Sequence, residues 1–507
     1  MNLPPAAPQR GETISRLEAG TFDLLVVGGG IHGVAATLEA SRRGFHTALV
    51  EQDDFGSATS RNSLQVLHGG LRHLQTLDVP RFRESVGDRA FFLREFPELT
   101  APMRFVLPLD GKALRRPSLM RLALGLNDWA SRPLQQNLPA SHALPAGEVW
   151  SRDDLRSLYP EIAAADFVGA AVWSDGHLSS PQRLLIEMLR WAAAAQAQPV
   201  NHARVRRCVS NSGVFEVEIE DCLSGRAFLV RARKVLFCGG PWSHELARTV
   251  VRSDEDRAPV GSGAPWGDTV PSGGVAAQIH PLSLAFNLVL RGTLPRPYGI
   301  GLTGRSGRNL FLWERNGLIR LGTCHTPWPS GVPESPFQNP EPTESEMDAF
   351  LAEAAEAAPG LALDQAERLG VQNGVLTAKS IGAKDLATRD AIVRHRDHGG
   401  PDGIVSVHGV KYTSAPSAAV AGLQSLWGQL PSRSSQARPP SRGPLQAAKL
   451  VEGVARDSAQ VRSVLGEVWA DEWVTSEEEL LRGRIDGTED PLLCEQLRRC
   501  LDPNPTG

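Results

Sequence analysis

The chain has 507 residues, of which 41% are hydrophobic and 22% charged, and its 53 basic and 57 acidic side chains give a formal net charge of −4. This is the composition of an ordinary globular protein with a sizeable core, and the length corresponds to about three to four units of roughly 150 residues. The near balance of charge, without a basic tail or an aromatic-interleaved basic stripe, argues against nucleic acid as a partner.

The first twenty residues are not expected to act as a signal peptide. Residues 1–20 lack the apolar segment of a signal peptide, and no run approaches the ~18 apolar residues of a membrane-spanning helix. The six cysteines are scattered, without a pairing or spacing typical of zinc sites. We therefore predict a cytoplasmic protein with reduced thiols and no metal site.

The first element is a strand, a glycine turn and a helix within residues 22–43. An apolar run at 24–27 breaks into glycines with the GxGxxG spacing and resumes as a small-residue helical pattern. Such glycines allow a sharp bend and a close backbone approach to a pyrophosphate, which meets unpaired amides at the start of the helix. The turn therefore predicts a set of dinucleotide contacts: Gly28, Gly30, Ile31 and Gly33.

A second apolar run, residues 46–50, ends in Glu51. A carboxylate at this distance can accept hydrogen bonds from a ribose diol and would repel a 2′-phosphate, so the pattern favours FAD or NAD over NADP. The adjoining Gln52 is also expected to contact the cofactor.

Small hydroxyl residues, including Thr59 and Ser60, come next, and residues 68–72 read His-Gly-Gly-Leu-Arg. Small residues let backbone amides approach a flat polar ligand, and His68 and Arg72 can be carried beside it. Residues 28–74 resemble the start of the FAD-dependent glycerol-3-phosphate dehydrogenases, within the glycine/D-amino-acid oxidase superfamily. That family has a similar Ala-Thr-Ser segment and a His-Gly-Gly-Leu-Arg-Tyr-Leu segment at the same separation.

Later segments extend the resemblance in the same order to about residue 425. They are PMRFVLP at 102–108, VLFCGGPW at 235–242, LGT at 321–323 and GIVSVHGVKYT at 403–413. The resemblance implies an α/β fold with a Rossmann-type, glutathione-reductase-like FAD-binding domain, an antiparallel-sheet substrate domain and a short C-terminal helical region. The expected boundaries are 20–100, 181–275 and 366–428 for the FAD-binding domain, 101–180 and 276–365 for the substrate domain, 429–445 for a linker and 446–507 for the helical region.

The resemblance also implies which residues contact FAD. Val205 falls where the superfamily touches the adenine through backbone atoms, and Lys411 precedes a helix whose start can stabilise the negative charge of a reduced flavin. A solvated loop lysine is the alternative for Lys411. The further expected contacts are Thr59, Ser60, His68, Gly69, Gly70, Gly239, Gly240, Trp242 and Gly409.

The chemistry implied is hydride transfer to flavin N5 from a C–H bond that bears OH or NH. A base must take the heteroatom proton, and His68 is the first candidate for this base or its orienter, with a non-catalytic histidine beside the flavin as the alternative. His325, which replaces an acidic residue of the family, is the second candidate. Arg72 can grip a phosphate or carboxylate through two parallel hydrogen bonds, unless it forms a structural ion pair.

Departures from the family bear on the substrate. Gln372 stands where the family has a second arginine, His73 replaces a tyrosine, and Gln65 replaces a lysine. A small phosphorylated or acidic alcohol such as glycerol-3-phosphate is the expected substrate, and a 2-hydroxy acid or an amine stays open. The alternative to an enzyme is a protein that binds a flavin without catalytic activity and serves as a partner of other proteins.

Residues 112–129 combine basic residues with Leu, Met and Trp, as an interfacial helix does. In bacterial relatives the corresponding segment rests on the membrane near the quinone electron acceptor, so the resemblance implies peripheral contact with the inner face of the cytoplasmic membrane. A core helix gives the same amphipathic pattern, so both interpretations stay open. The electron acceptor and a homodimer are also open.

Overall fold

A computed structural model describes residues 10–71, 73, 77–163, 166–211, 213–251, 281–315, 317–328 and 341–433. The expected helical region at 446–507 and the linker from residue 434 onward lie outside the described residues. Arg72 lies outside them as well.

Two sheets form the scaffold, and each contains nine of the described strands. The strands are β1 (Thr21–Val27), β2 (Thr47–Val50), β3 (Val66–Leu67), β4 (Thr100–Leu109), β5 (Glu148–Ser151), β6 (Gly169–Leu178), β7 (Gln198–Val200), β8 (Ala203–Asn211), β9 (Val214–Asp221), β10 (Ala227–Phe237), β11 (Val250–Val251), β12 (Leu282–Arg291), β13 (Gly299–Thr303), β14 (Asn309–Arg315), β15 (Leu318–Pro327), β16 (Arg368–Thr377), β17 (Ala391–Arg394) and β18 (Ile404–His408). The helices are α1 (Arg10–Ala19), α2 (Ile31–Arg42), α3 (Val79–Glu95), α4 (Pro117–Gln135), α5 (Arg152–Leu158), α6 (Pro181–Ala194), α7 (Ser243–Arg248), α8 (Glu344–Ala357) and α9 (Ala415–Trp427). Within the described ranges, no helix has both the length and the apolar character needed to cross a membrane.

The first sheet has a parallel centre. β1 pairs in parallel with β10 on one side and with β2 on the other. The long strand β10 pairs antiparallel with β9 through its first half and parallel with β18 through its second half. β1 is buried from both sides, since Leu24 and Val26 face α2, α6 and α9 while Leu25 and Val27 pack with α1 and the β8–β9 hairpin. This is the α/β, Rossmann-type arrangement that the sequence predicted.

The second sheet has the order β16-β12-β15-β14-β13-β4-β6-β3, with β5 also paired to β6. Its pairs are antiparallel except for β13 and β4, which run in parallel. One face packs against α5 and α8 through residues such as Leu288, Leu321 and Phe350. The other face carries an aromatic cluster that includes Trp173 and Trp313.

Two stretches that we expected in the FAD-binding domain pair instead with the second sheet. Val66–Leu67 pairs with β6, and Arg368–Thr377 pairs with β12. The loop before β3 is also fastened to β16, because the Thr59 hydroxyl donates to the Val375 carbonyl (3.0 Å) and accepts from the Val375 amide (3.1 Å). We therefore propose domain boundaries that follow the two sheets.

Candidate active site

The glycine turn brings the start of α2 against the end of β10. Gly28 has φ +109°, and a Cβ there would lie 2.5 Å from the Cys238 carbonyl oxygen. A Cβ on Gly33 would lie 1.8 Å from the Gly28 carbonyl oxygen. Only glycine permits these approaches, so the close packing of helix against strand needed for a pyrophosphate cradle is present.

Two backbone amides of the glycine turn and the start of α2 donate to polar side chains. The Ile31 amide donates to the Ser60 hydroxyl at 2.9 Å, and the Gly29 amide donates to a Glu51 carboxylate oxygen at 2.5 Å. The other Glu51 oxygen accepts from the Asp53 amide at 2.9 Å. Burial raises the pKa of Glu51 to about 7, against the effect of these amides. Glu51 thus lies beside the turn, where a carboxylate can accept hydrogen bonds from a ribose.

The residues expected near the adenosine half of the cofactor belong to the first sheet or directly follow its strands. Val205 is buried on β8, and Gly239 directly follows β10 and its neighbour Cys238. Gly240 has φ +58° and begins a 3-10 turn that ends at Trp242. Gln52 is half-buried in the loop after β2.

The His-Gly-Gly loop follows β3 and contacts the segment after β18. The His68 backbone amide donates to the Thr413 hydroxyl at 3.3 Å. The His68 ring is 41% exposed and lies 5.6 Å from the Phe311 ring, measured between centroids. Gly70 has φ +76°, a conformation that favours glycine. The structure therefore brings the 68–70 loop next to the 409–413 loop, although the two are far apart in sequence.

A buried carboxylate anchors this loop. Asp175 on β6 accepts from the Gly69 amide at 2.7 Å and lies 3.4 Å from His68 Nδ1. The Arg89 guanidinium, from α3, donates to the same carboxylate at 2.6 Å. Burial opposes ionisation of Asp175, but the hydrogen bond with His68 and the charge of Arg89 outweigh it and hold the pKa of Asp175 below its usual range. Sequence reasoning missed Asp175 and Arg89 as site residues.

The segment that contains Gly409 and Lys411 joins β18 to α9. A Cβ on Gly409 would lie 2.0 Å from the His32 ring, so the glycine lets this loop pack on the start of α2. The Val410 amide donates to Asp390 at 2.6 Å. Burial lowers the pKa of His32, although Asp390 opposes this effect with its Nε2–Oδ1 separation of 4.0 Å. Sequence reasoning also missed His32 and Asp390.

The remaining candidates lie on the second sheet. His325 is half-buried on β15, opposite Ala285 of β12. Gln372 is 6% exposed on β16, opposite Asn287 of β12. The Asn287 side chain donates to the Asn62 carbonyl at 2.9 Å, which ties β12 to the loop that carries Ser60. Among the residues the structure covers, no group of three His, Cys, Asp or Glu side chains is arranged to hold a metal ion.

The glycine turn, the acid beside it and the two-sheet fold together are typical of a dinucleotide-binding protein. The chain belongs to the family described as FAD dependent oxidoreductases, which it matches over residues 23–421. FAD is therefore the cofactor, as the sequence predicted, and the cradle described above fits its ADP portion.

Individual relatives are more distant. The chain is 28% identical to an alpha-glycerophosphate oxidase of Enterococcus casseliflavus over 356 residues, which are 69% of this chain and 53% of that protein. It is 29% identical to a glycerol-3-phosphate dehydrogenase of Synechocystis over 247 residues, 46% of this chain and 42% of that protein. The chain thus spans about half the length of the curated relatives it matches.

Among solved structures, the glycerol-3-phosphate dehydrogenase of Bacillus halodurans in complex with FAD superposes with a TM-score of 0.61. The match covers 94% of this chain and 83% of the other, at 19% identity. At this identity the likeness concerns the fold, and it agrees with the predicted FAD-binding and substrate domains.

Proposed function

We propose that the protein oxidises a small phosphorylated or acidic alcohol, with glycerol-3-phosphate as the first candidate. The resemblance to the named oxidase and dehydrogenase supports this substrate class. The observation that carries the proposal is the placement of His68, which lies between buried Asp175 and the 409–413 loop. A histidine held in this way is suited to accept a proton beside a flavin.

Bound FAD supplies the hydride acceptor for the reaction. His68 takes the hydroxyl proton of the substrate as the C–H bond gives up its hydride, and the alcohol becomes a carbonyl. Lys411, close to the start of α9, stabilises negative charge at the flavin end of the site. His325 is the second candidate for the base.

An acid group on the substrate requires a cation to hold it. Arg72 is proposed for this role because a guanidinium can bind a phosphate or carboxylate through two hydrogen bonds. The proposal rests on the sequence alone, because Arg72 lies outside the described residues. Gln372 supplies an amide where the resembling family has an arginine, and this favours a substrate with less negative charge. A 2-hydroxy acid or an amine is therefore the second candidate substrate.

Helix α4 supports a peripheral membrane contact. It begins at Pro117, whose fixed φ suits the first turn of a helix, and buries Met120 and Leu124. Its opposite face exposes four large apolar side chains, and exposed arginines lie along and next to the helix. The exposed fractions are 42% for Leu119, 60% for Leu122, 47% for Leu126 and 72% for Trp129. We propose that this face rests on an anionic membrane surface, near a quinone acceptor.

Anaerobic addition of substrates to the FAD-loaded protein tests the proposed reaction. We expect glycerol-3-phosphate to bleach the absorption of the oxidised flavin, and glycerol, which lacks the phosphate, to leave it unchanged. If a 2-hydroxy acid or an amine bleaches the flavin and glycerol-3-phosphate does not, the second candidate substrate class is favoured. If no member of the panel bleaches a flavin that dithionite can reduce, the catalytic proposal fails and a flavin-binding partner role is favoured.

A further inference from the structure

Asp175 is a buried carboxylate with four hydrogen-bonding neighbours, two at each of its oxygens. One of its oxygens accepts from the Gly69 amide (2.7 Å) and from Arg89 (2.6 Å). The other accepts from the Trp173 indole at 3.1 Å and lies 3.4 Å from His68 Nδ1. Trp173 lies on β6, Arg89 lies on α3, and His68 and Gly69 belong to the His-Gly-Gly loop. The Asp175 side chain therefore connects the loop that carries the candidate base to a strand and a helix.

The charge state of Asp175 determines which tautomer His68 adopts. An ionised carboxylate can only accept hydrogen bonds, so the atom that faces it, His68 Nδ1, must carry a proton. In the neutral ring this leaves Nε2 as the proton acceptor. Arg89 is 2% exposed and Asp175 is 4% exposed, so the ion pair is held by its surroundings.

Gly69 makes this arrangement sterically possible. A Cβ at that position would lie 2.1 Å from the Arg89 Nη1 atom. Arg89 also donates to the Ser174 carbonyl at 3.1 Å, which fixes the guanidinium against β6. The backbone of residue 69 and the ring of residue 68 are therefore held by the same carboxylate, which limits their relative motion.

We propose that Asp175 is the positioning residue of His68: it holds the imidazole in the Nδ1-protonated form and leaves Nε2 to accept the substrate proton. This inference rests on the proposed function of His68 as the base. Asp175 does not touch the reacting atoms and acts only through His68 and the Gly69 backbone.

Kinetics of FAD-loaded variants provide the first test. We expect Asp175→Asn to lower kcat by roughly 10²-fold, within the range of general-base contributions, while KM and FAD content change little. The Asp175→Asn/His68→Gln double variant should be no slower than His68→Gln alone, because both substitutions disable the same group. Multiplying losses in the double variant, or an effect confined to KM, would overturn the proposal.

Nitrogen-15 NMR of the histidine rings gives a second readout that does not need a substrate. At about pH 8, above the ordinary histidine pKa, the His68 resonances, assigned by their loss in His68→Gln, should show a proton on Nδ1. Asp175→Asn should shift the population toward the Nε2-protonated form. A wild-type His68 that carries its proton on Nε2 would refute the inference, whether or not the protein oxidises any substrate.

Two further variants separate positioning from folding. Glu353→Gln removes another buried carboxylate, one that bonds to Ser306 and lies near Arg308 on the α8 side of the second sheet. It should leave kcat and the His68 resonances unchanged. If Asp175→Asn does not fold because Arg89 is left uncompensated, Asp175→Asn/Arg89→Met removes both charges and should show the same loss of kcat. Wild-type kcat in that folded pair variant would overturn the proposal.

Discussion

At the scale of single residues, the absence of a side chain at Gly30 leaves space for the pyrophosphate beside the start of α2. A Cβ at Gly30 would lie 3.2 Å from the Ser60 hydroxyl, which itself accepts from the Ile31 amide. We expect the larger side chain of Gly30→Val to occupy the space of the pyrophosphate and to weaken FAD binding by about 10²-fold, or roughly 3 kcal/mol. FAD retained after gel filtration measures this loss.

The matched control is Gly87→Ala on α3, where a new Cβ meets no atom within 4 Å. This variant should keep its FAD and gain roughly 0.5–1 kcal/mol in the free energy of unfolding, because alanine favours a helix. Full yellow colour in Gly30→Val would contradict our placement of the nucleotide.

Gln372 is the residue whose replacement tests substrate charge. Gln372→Arg adds a cation at a buried position opposite Asn287. We expect KM for glycerol-3-phosphate to fall by about 10-fold, equivalent to one charge-assisted hydrogen bond of roughly 1.4 kcal/mol. Thermal stability without substrate should fall, since the new charge is buried without an anion. Gln372→Met controls for side-chain size, and an unchanged KM in Gln372→Arg would place the residue away from the substrate.

At the scale of secondary-structure elements, the start of α9 depends on a carboxylate from α3. Asp88 accepts from the Ser417 amide at 3.0 Å and from its hydroxyl at 2.7 Å. Burial, with additional repulsion from Glu84 and Asp390, raises the pKa of Asp88 to about 7 despite the hydrogen bonds from Ser417.

The sign of the resulting pH dependence follows from this raised pKa. The folded protein binds the Asp88 proton more tightly than the unfolded chain, so this residue's contribution to stability is lost as pH rises from about 4 to about 7. The maximum slope is about 1.4 kcal/mol per pH unit. We therefore expect Asp88→Asn to match the wild type near pH 4 and to be more stable at pH 8, as measured by urea unfolding.

An exposed helix cap gives the contrasting control. Asp154, at the start of α5, bonds to Ser151, and its pKa is lowered by the hydroxyl and amide of that residue. The ionised form of a carboxyl with a lowered pKa stabilises the folded state, and this stabilisation is lost when the carboxyl is protonated in acid. Asp154→Asn should therefore be less stable than the wild type at neutral pH and equally stable in acid. If Asp88→Asn showed this same trend, its assignment as a buried, protonated cap would be wrong.

The exposed face of α4 leads to a prediction about membranes. Leu122→Glu should reduce co-flotation with anionic vesicles several-fold, because it removes apolar area and adds repulsion at the bilayer surface. Leu223→Glu changes another exposed leucine, 64% exposed in the turn between β9 and β10, and should bind vesicles as the wild type does. Loss of a dimer in Leu122→Glu, without any vesicle binding by the wild type, would show that a second copy covers this face.

At the scale of the whole molecule, FAD binding should stabilise both sheets together. The 59–62 loop is bonded to β16 of the second sheet and to α2 of the first, through Thr59 and Ser60 respectively. A ligand held at this loop therefore opposes separation of the two sheets. We expect free FAD at 100 times its Kd to add about 2.7 kcal/mol to the free energy of unfolding. Thermal melts with FAD and with NAD check this, and stabilisation by NAD alone would contradict it.

The sequence by itself determined the fold class, the cofactor and the family. The glycine spacing of 28–33, the strand before it and Glu51 after it predict a dinucleotide turn within one contiguous stretch. FAD and the family were predicted from the resemblance of several short motifs that follow one another in a fixed order up to about residue 425. The proposed roles of His68 and Lys411 also came from local motifs, and they stay predictions.

Only the tertiary structure decided what holds these residues. Asp175 is 107 positions from His68, and Asp88 is 329 positions from Ser417. No local pattern encodes such pairs, because they depend on how α3, β6 and α9 pack. Long-range packing also explains why Arg368–Thr377 pairs with the second sheet and why the Thr59 hydroxyl donates to the Val375 carbonyl. Short-range spacing thus specified the nucleotide turn, whereas long-range packing set the charge and orientation of the groups around it.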